Sequence, residues 1–342
     1  MATLSVITPG LLTTIQDSWR SGFRRIGMPT AGVMDYDAAR LSNLLLGNDE
    51  NAPVLEMTLT GAKLACHDQL QFVITGGDMQ PRLNGQPLEL WTVYQAERGD
   101  QIDFAGLRSG CRTYLAVTGG FVAPVVMGSA STYLRGQLGG YSGRALQAGD
   151  VLQTGEPAPN KAHVGLKLPE AYHPNYRVAL RVILGPQDDA FTPQGIETFL
   201  SSVYTVTHET DRMGCRLEGA KITHRLGADI ISDGLMPGSI QVPAHGAPII
   251  MLADAQTTGG YAKIAAVISV DLPSVAQMKP GDNLTFQPIS VEDAQHLYRV
   301  REARMNALRA WVTSEIRMKN QPITMYRVTI NGQSYHVSIQ AR

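Results

Sequence analysis

The 342-residue chain is long enough for two domains, and its 44% hydrophobic and 17% charged content is typical of a folded globular protein rather than a disordered one. The formal net charge of −1 comes without a basic block, which argues against nucleic acid and against an anionic membrane surface as partners. We recognise no secretory signal and no membrane-spanning apolar segment, so we expect a cytoplasmic protein.

The cysteines and histidines give little sign of redox or metal chemistry. Cys66, Cys111 and Cys215 are widely spaced and form no paired motif, which predicts buried thiols in a reducing compartment. The eight histidines show neither HxH nor HxxxH spacing and form no cluster with the cysteines. We therefore predict no metal site.

The chain begins with two extended segments, an irregular loop and a helix. Residues 16–35 are rich in Gly and Arg and lack periodicity, a pattern typical of a functional or interface loop. A helix is expected over 36–46, because apolar residues recur there and Asp35 can act as its N-cap.

A weak internal repeat indicates two similar β-rich domains in tandem. Short alternating or apolar runs over 54–104 predict strands, with Asn84-Gly85 as a two-residue hairpin turn. A Gly-Asp turn leading into a strand occurs in RGDQIDF (98–104), AGDVLQT (148–154) and PGDNLTF (280–286). Each half also opens with a strand and a Gly/Pro bend, at 6–17 and 182–191. Many short strands with such turns favour a barrel or sandwich architecture.

The C-terminal region has a different pattern. Ser290 can N-cap a helix expected at 291–318, whose apolar residues recur on one face. Two alternating strands then flank Asn331-Gly332, and such a hairpin should dock on other structure because it is marginal alone. The predicted organisation is an N-terminal domain over 1–165, a second domain over 175–290 and a helix-hairpin extension over 291–342.

The stretch 248–272 holds a candidate recognition loop. Apolar runs over 249–252 and 264–270 predict two buried strands. Between them lie Asp254, Gln256, Thr257, Thr258, Gly259, Gly260 and Tyr261. The glycines can adopt positive φ and let the backbone approach a ligand, so the loop is typical of a site for a neutral polar group. The alternative is a hairpin loop whose Thr side chains only satisfy local backbone groups.

Three long stretches resemble one protein family: PGLLTTIQDSWRSGFRRIGMPTAGVMD (9–35), HETDRMGCRLEG (208–219) and SIQVPAHGAPIIMLADAQTTGGY (239–261). They are similar to the KipA / 5-oxoprolinase C-subunit family, also described as allophanate hydrolase subunit 2-like or as the biotin-dependent carboxyltransferase family. The resemblance covers roughly residues 6–290. It implies a mainly β fold of two tandem cyclophilin-like β-barrels, to which the C-terminal helix and hairpin are added. It also implies a partner similar to KipI, the 5-oxoprolinase B subunit, together with a protein similar to the A subunit.

The chain departs from the family pattern at identifiable places. In the related urea carboxylase an Asn of an Asn-Arg-x-Gly motif helps to bind substrate, but residues 211–214 here read Asp-Arg-Met-Gly. An ionised Asp accepts hydrogen bonds and donates none. Trp19 stands where the family usually has Gly, and Ala262 where Pro is common. The tail resembles the opening strands of a biotin-carrier domain but contains no Met-Lys-Met, so we expect no covalent biotin.

The resemblance and the candidate loop favour a subunit of an ATP-dependent 5-oxoprolinase, a complex that opens the lactam of 5-oxo-L-proline to give L-glutamate. On this interpretation Asp211 and Asp254 are the general acid/base groups. Arg212 or Arg216 holds the substrate carboxylate, unless these arginines form structural or solvated ion pairs. Gly214 of the same turn and the polar residues 256–261 complete the predicted substrate-binding set. ATP is needed by the complex and is not assigned to a residue of this chain.

Two other functions stay open on the sequence alone. One is a biotin-dependent carboxyltransferase component that acts on an amide, as in urea carboxylase, with carboxybiotin delivered by another protein. The other is a non-enzymatic module that binds a KipI-like regulator of a kinase. The missing carrier lysine argues against self-contained biotin chemistry but not against delivery in trans. Because the chain shows no complete catalytic triad or metal site, we expect activity only together with a partner.

Overall fold

The computed structural model describes residues 1–157, 164–319, 324–331 and 333–339. The strands of the first half are β1 Thr3–Thr8, β2 Leu12–Gln16, β3 Val54–Thr58, β4 Lys63–Cys66, β5 Leu70–Asp78, β6 Pro81–Leu83, β7 Gln86–Pro87, β8 Val93–Ala96, β9 Gln101–Phe104, β10 Ser109–Val117 and β11 Val151–Gln153. The second half contains β12 Ala179–Leu184, β13 Tyr204–Val206, β14 Gly214–Gly219, β15 Asp229–Gly234, β16 Ser239–Gln241, β17 Ile249–Met251, β18 Thr258–Tyr261, β19 Lys263–Val267 and β20 Asn283–Pro288. The C-terminal strands are β21 Thr324–Ile330 and β22 Gln333–Ile339, and the α-helices are α1 Tyr36–Leu46, α2 Pro193–Ser201, α3 Leu272–Ala276 and α4 Val291–Lys319.

The first half packs two antiparallel sheets around one core. One sheet has the strand order β11-β1-β4-β9-β6-β7 and the other β2-β3-β10-β5-β8. Alternate side chains from both sheets enter the same core, with Leu4 and Leu64 from the first sheet and Ile15, Phe72 and Leu115 from the second. The two sheets thus bury their apolar faces against each other, as the alternating sequence pattern requires.

The second half is a closed barrel. Its strands follow the order β12-β19-β16-β17-β14-β13-β20, and β20 returns to pair with β12 in parallel. Strands β15 and β18 pair with each other outside this barrel as a two-stranded ribbon. The predicted mainly β class, with barrel, C-terminal helix and hairpin, is confirmed. The two halves differ in that the strands of the first form two separate sheets.

The three predicted Gly-Asp turns share one geometry. Gly99, Gly149 and Gly281 have φ of 94°, 91° and 90°, in the region that favours glycine. In each turn the carboxylate of the following Asp accepts the N–H of the residue three positions before it, at 2.8, 2.7 and 3.0 Å. The Asn84-Gly85 hairpin also forms between β6 and β7, with both residues at positive φ.

The two long helices follow their sequence signals. Asp35 Oδ1 accepts the N–H of Ala38 at 3.0 Å and caps α1, while Ser290 Oγ accepts the N–H of Asp293 at 3.0 Å and caps α4. The buried face of α4 packs with α1 in one apolar cluster through Met305, Leu308, Val312 and Ile316. Helix α4 therefore returns from the second half to cover the first.

Parts of the predicted organisation fall outside the described residues. The expected domain boundary at 155–177 lies between β11 and β12, but residues 158–163 are not described, so the boundary stays a prediction. Strands β21 and β22 pair in register from Thr324 with Ile339 to Ile330 with Gln333. Residue 332 of the predicted Asn-Gly turn lies outside the described residues.

Candidate functional site

Residues 211–214 form a tight turn that leads into β14. Asp211 Oδ1 accepts the N–H groups of Met213 and Gly214 at 2.7 and 3.1 Å. A Cβ at Gly214 would lie 2.9 Å from Ile249 Cγ2, so the close packing of β14 on β17 favours glycine there. Because one side-chain oxygen closes the turn, an Asn could close it equally well. The Asp found here in place of the family's Asn therefore changes the charge at this position and not the backbone.

Arg212 lies between the two halves and is only 5% exposed. Its Nε and Nη2 donate to the two carboxylate oxygens of Asp254, at 3.0 Å each. Nη1 donates to Glu56 Oε1, and Nη2 also donates to the carbonyl of Gly32 at 2.6 Å. All three guanidinium nitrogens thus have protein acceptors. This geometry corresponds to a structural ion pair and leaves no free fork for a substrate carboxylate.

The Glu56–Arg212–Asp254 triad joins the two halves through attraction between one guanidinium group and two carboxylates. Burial by itself would lower the pKa of Arg212, but Asp254 and Glu56 raise it, so the guanidinium stays protonated. Burial raises the pKa of Asp254, and Arg212 opposes that rise. Two charge-assisted hydrogen bonds from a cation that keeps its proton hold Asp254 as the carboxylate near neutral pH. Asp254 is therefore better suited to fixing Arg212 than to exchanging protons.

A chain of buried polar groups extends the triad across the joint. Glu56 Oε2 accepts the hydroxyl of Tyr114 at 2.8 Å, and the Tyr114 hydroxyl oxygen accepts the N–H of Asp35 at 2.7 Å. Asp35 Oδ2 in turn accepts from Tyr176 Oη and from Gln277 Nε2, both at 2.7 Å. Since Gln277 belongs to the second half and Asp35 to the first, the same network crosses the joint at a second point.

A cavity of about 410 Å³ opens beside this joint. Leu12, Arg112 and Arg135 line it from the first half, and His208, Asp211 and Met278 line it from the second, together with Arg212 and Asp254. The structure thus brings Asp211, Arg212 and Asp254 together, although they come from two separate segments of the sequence. We refer to this space as the interdomain cavity.

Residues 256–261 lie apart from the interdomain cavity. Strand β18 pairs with β15 in the two-stranded ribbon, and none of residues 256–261 lines the cavity. Gln256 and Tyr261 are exposed. The predicted substrate-binding residues 256–261 are therefore not brought together with Asp211 in this cavity, because the chain beyond Asp254 leaves the joint to form the ribbon.

The glycine pair also differs from expectation. Gly259 and Gly260 lie in β18 and neither has positive φ, so that part of the prediction is wrong. Gly259 is nonetheless sterically restricted, because a Cβ there would lie 2.6 Å from Gln241 Nε2 and 2.7 Å from Leu235 Cδ1. The requirement for glycine comes from packing of the ribbon on the barrel and not from the local backbone.

The predicted site set leaves out two arginines that line the cavity and includes a third that lies at the surface. Arg216 is exposed, with its Nε 3.9 Å from Glu209 Oε2, a surface pair of the kind that contributes little. Arg112 and Arg135, by contrast, line the interdomain cavity. The glycine-rich sequence around Arg135 (134–146) is a usable loop signal. Arg112 lies inside β10, where its position in the strand gives no such signal.

The protein-family model described as "Carboxyltransferase domain, subdomain A and B" matches residues 26–288 of this chain. The chain belongs to this carboxyltransferase family. It is 37% identical over 297 residues to the 5-oxoprolinase C subunit of Haemophilus influenzae, covering 86% of this chain and 94% of the relative. It is 36% identical over 294 residues to the 5-oxoprolinase C subunit of Escherichia coli, covering 85% and 93%.

A solved urea carboxylase shares the fold of this carboxyltransferase chain. The Kluyveromyces lactis urea carboxylase superposes with a TM-score of 0.83 at 30% identity, covering 90% of this chain and 29% of that protein. The chain therefore spans nearly all of the C-subunit relatives but less than a third of this larger enzyme. The names of the C-subunit relatives mark them as parts of a multi-subunit enzyme.

Trp19, which departs from the usual Gly of the carboxyltransferase pattern, is accommodated by an aromatic contact. Its ring stacks on Tyr36, the first residue of α1, with centroids 4.3 Å apart and an interplanar angle of 27°. The contact attaches the irregular 16–35 loop to the start of the helix. The bulky ring therefore packs on α1 and does not line the interdomain cavity.

The cysteine thiols show no sign of raised reactivity. All three cysteines are buried and free, as predicted, and burial raises the pKa of the Cys66 and Cys215 thiols to about 11. They are thus protonated and weakly nucleophilic near neutral pH. The described residues contain no group of three or more His, Cys, Asp or Glu side chains placed to hold a metal ion. None of the described helices combines the length and apolar character needed to cross a membrane.

Proposed function

We propose that this chain is the C-type subunit of an ATP-dependent 5-oxoprolinase, which hydrolyses the lactam of 5-oxo-L-proline to L-glutamate. The observation that carries the proposal is the match to two relatives of that name over 94% and 93% of their length. The match thus extends over nearly the whole length of both relatives and not merely over a shared domain. A KipI-like protein of the B type and a further protein of the A type are the proposed partners.

The interdomain cavity offers chemistry that suits a cyclic amide. Asp211 uses Oδ1 to close its own turn and lines the cavity, so Oδ2 is the atom proposed to exchange a proton with the substrate. The Arg212–Asp254 pair fixes the turn that carries Asp211. An unactivated lactam resists attack by water, so hydrolysis of ATP by the complex provides the driving force. The free buried thiols support a reducing compartment, and we propose the cytoplasm.

Reconstitution tests this function. The purified chain is combined with its A-type and B-type partners, 5-oxoproline and ATP, and glutamate is measured over time. We expect turnover by the complete complex, none by the isolated chain, and loss of turnover when the chain is omitted. Robust turnover by the isolated chain, or by the partners without it, would contradict the proposal.

A second candidate function is favoured by the fold comparison. The TM-score of 0.83 to a urea carboxylase over 90% of this chain supports a carboxyltransferase component acting on an amide, with carboxybiotin delivered in trans. Avidin, which sequesters biotin, separates the two candidates. Glutamate formation by a 5-oxoprolinase should be insensitive to avidin. Carboxylation of urea from bicarbonate that avidin abolishes would favour the second candidate instead.

A further inference from the structure

The interdomain cavity is lined by three arginines and by the carboxylates of Asp211 and Asp254. Of these arginines, Arg212 is paired with two carboxylates, those of Glu56 and Asp254. Arg112 and Arg135 have no carboxylate partner within the described parts of the chain. Two guanidinium groups without a carboxylate partner can bind an anionic group of a ligand.

Arg112 is the buried member of this arginine pair. It is 3% exposed, and its Nη1 donates to the carbonyl of Ala276 at 2.6 Å. Its Nε finds no acceptor among the described residues. A buried charged donor without an acceptor is costly, so such a group in a folded protein calls for an explanation such as a ligand, an ion or a water molecule. Arg112 also lines the interdomain cavity, which places a cationic side chain without a carboxylate partner at that space.

Arg135 is the exposed arginine of this pair. Apolar side chains line the cavity beside the two arginines. Arg135 is carried by the glycine-rich segment 134–146 of the first half. Leu59, Leu134 and Met278 also line the cavity. Two guanidinium groups without carboxylate partners, beside aliphatic walls, suit a small molecule with one carboxylate and a compact, weakly polar body.

We propose that Arg112 and Arg135 form a carboxylate subsite in the interdomain cavity and that its ligand is the carboxylate of 5-oxoproline. The identity of the ligand rests on the proposed function, whereas the carboxylate subsite itself does not. The two arginines take the role that the sequence led us to expect of Arg212 or Arg216. Inorganic phosphate shares the anionic chemistry but lacks the ring that the aliphatic walls would contact.

Equilibrium binding to the reconstituted complex, measured by calorimetry without ATP, tests the subsite. The probes are 5-oxoproline, inorganic phosphate and 2-pyrrolidinone, which has the same lactam without the carboxylate. We expect 5-oxoproline to bind at least about 10-fold more tightly than 2-pyrrolidinone, since a charge-assisted contact is lost in the latter. Arg135→Ala should remove this preference, and Arg135→Lys should retain part of it because a point charge replaces the planar fork.

Two further variants complete the design. Arg98→Ala is the matched control, because Arg98 is an exposed arginine of the first half that does not line the cavity, and it should keep the wild-type preference. Arg112→Lys retains the charge but replaces the planar guanidinium group by a point charge, and should weaken binding of 5-oxoproline but not of 2-pyrrolidinone. A thermal melt verifies that this buried variant is folded, while the exposed Arg135 variants carry the test if it is not.

Failure of the carboxylate subsite and failure of the proposed function give different experimental results. Equal binding of the two lactams, binding of phosphate as tight as that of 5-oxoproline, or an unchanged preference in Arg135→Ala would overturn the subsite. If the complex makes glutamate while Arg135→Ala keeps the wild-type KM for 5-oxoproline, the subsite is wrong and the proposed function stands. If the complex makes no glutamate but binds small carboxylates through Arg135, the subsite stands and the proposed function is wrong.

Discussion

Arg212 of the second half and Glu56 of the first half form a buried ion pair across the joint between them. The two residues are 156 positions apart in sequence, and Asp254 completes the triad on the side of the second half. Because both carboxylates lie in the interior, each depends on the guanidinium for compensation of its charge. The turn that carries Asp211 is therefore fixed to both halves of the protein at once.

Replacement of Arg212 should destabilise the whole protein. Arg212→Ala leaves Glu56 and Asp254 as buried charges without a partner, and we expect it to lower the free energy of unfolding by about 3–5 kcal/mol. Chemical denaturation measures this change. Arg216→Ala is the matched control, because that arginine is exposed and weakly paired, and it should change the free energy by less than about 0.5 kcal/mol. Equal stability of the two variants would show that the triad does not hold the joint.

The stability of the protein should depend on pH through Asp35. Burial raises the pKa of Asp35 to about 6, and hydrogen bonds from Gln277, the N–H of Ala38 and Tyr176 oppose the rise. An unfolded Asp titrates near pH 3.9, so between about pH 4 and pH 6 the folded state retains a proton that the unfolded chain has lost. The stabilising contribution of this group is present in full below that window and is lost as the pH rises through 6.

A comparison with Asp35→Asn isolates this effect. The wild-type free energy of unfolding minus that of the variant should fall by up to about 3 kcal/mol as the pH rises from 4 to 6, because each pKa unit corresponds to about 1.4 kcal/mol. Denaturant titrations at closely spaced pH values measure the difference, and the subtraction removes the contributions of other carboxylates. A difference that does not change with pH would mean that Asp35 titrates normally.

The two glycines of the ribbon should respond differently to a methyl group. Gly259→Ala would place Cβ against Leu235 and Gln241, and we expect a loss of about 1–3 kcal/mol from overpacking. At Gly260 the nearest atom to a new Cβ is the carbonyl oxygen of Ile230 at 3.7 Å, so Gly260→Ala should cost less than about 0.5 kcal/mol. Thermal melts of the pair check this, and similar losses for both would refute the packing explanation.

Asp211 should be needed for turnover and not for folding. Asp211→Asn keeps a side-chain oxygen to close the turn but cannot exchange a proton, so we expect an unchanged melting temperature and a kcat lower by about 10²–10⁴-fold. Asp211→Ala should lose the turn contacts as well. Steady-state kinetics of the reconstituted complex measure both. Wild-type kcat in a folded Asp211→Asn complex would remove Asp211 from the proposed chemistry.

The features that could be predicted from the sequence are those with local causes. The caps by Asp35 and Ser290 and the three Gly-Asp turns depend on residues within a few positions of each other. The fold class was accessible for a related reason, since strand patterns and the family resemblance extend along most of the chain. Interactions between residues close in sequence thus account for the predicted caps and turns, and the long ordered motifs account for the predicted fold class.

The site could be predicted only in part because its contacts are long-range. The bonds of Arg212 with Glu56 and of Gln277 with Asp35 join residues 156 and 242 positions apart. The family motif and the candidate loop drew attention to Asp211 and Asp254, which line the interdomain cavity, but they could not show that Arg212 forms a buried ion pair. The sequence predicts Gly259 as a loop residue that can adopt positive φ, whereas it lies in β18 with Leu235 packed against it.

The assignment of this chain to a 5-oxoprolinase complex is tested most directly by one rate, that of glutamate formation from 5-oxoproline and ATP. The reconstituted complex is assayed in parallel with the wild-type chain, with the chain omitted and with the Asp211→Asn chain. We predict rapid, avidin-insensitive glutamate formation with the wild-type chain only. Equal rates with and without the chain would contradict the assignment.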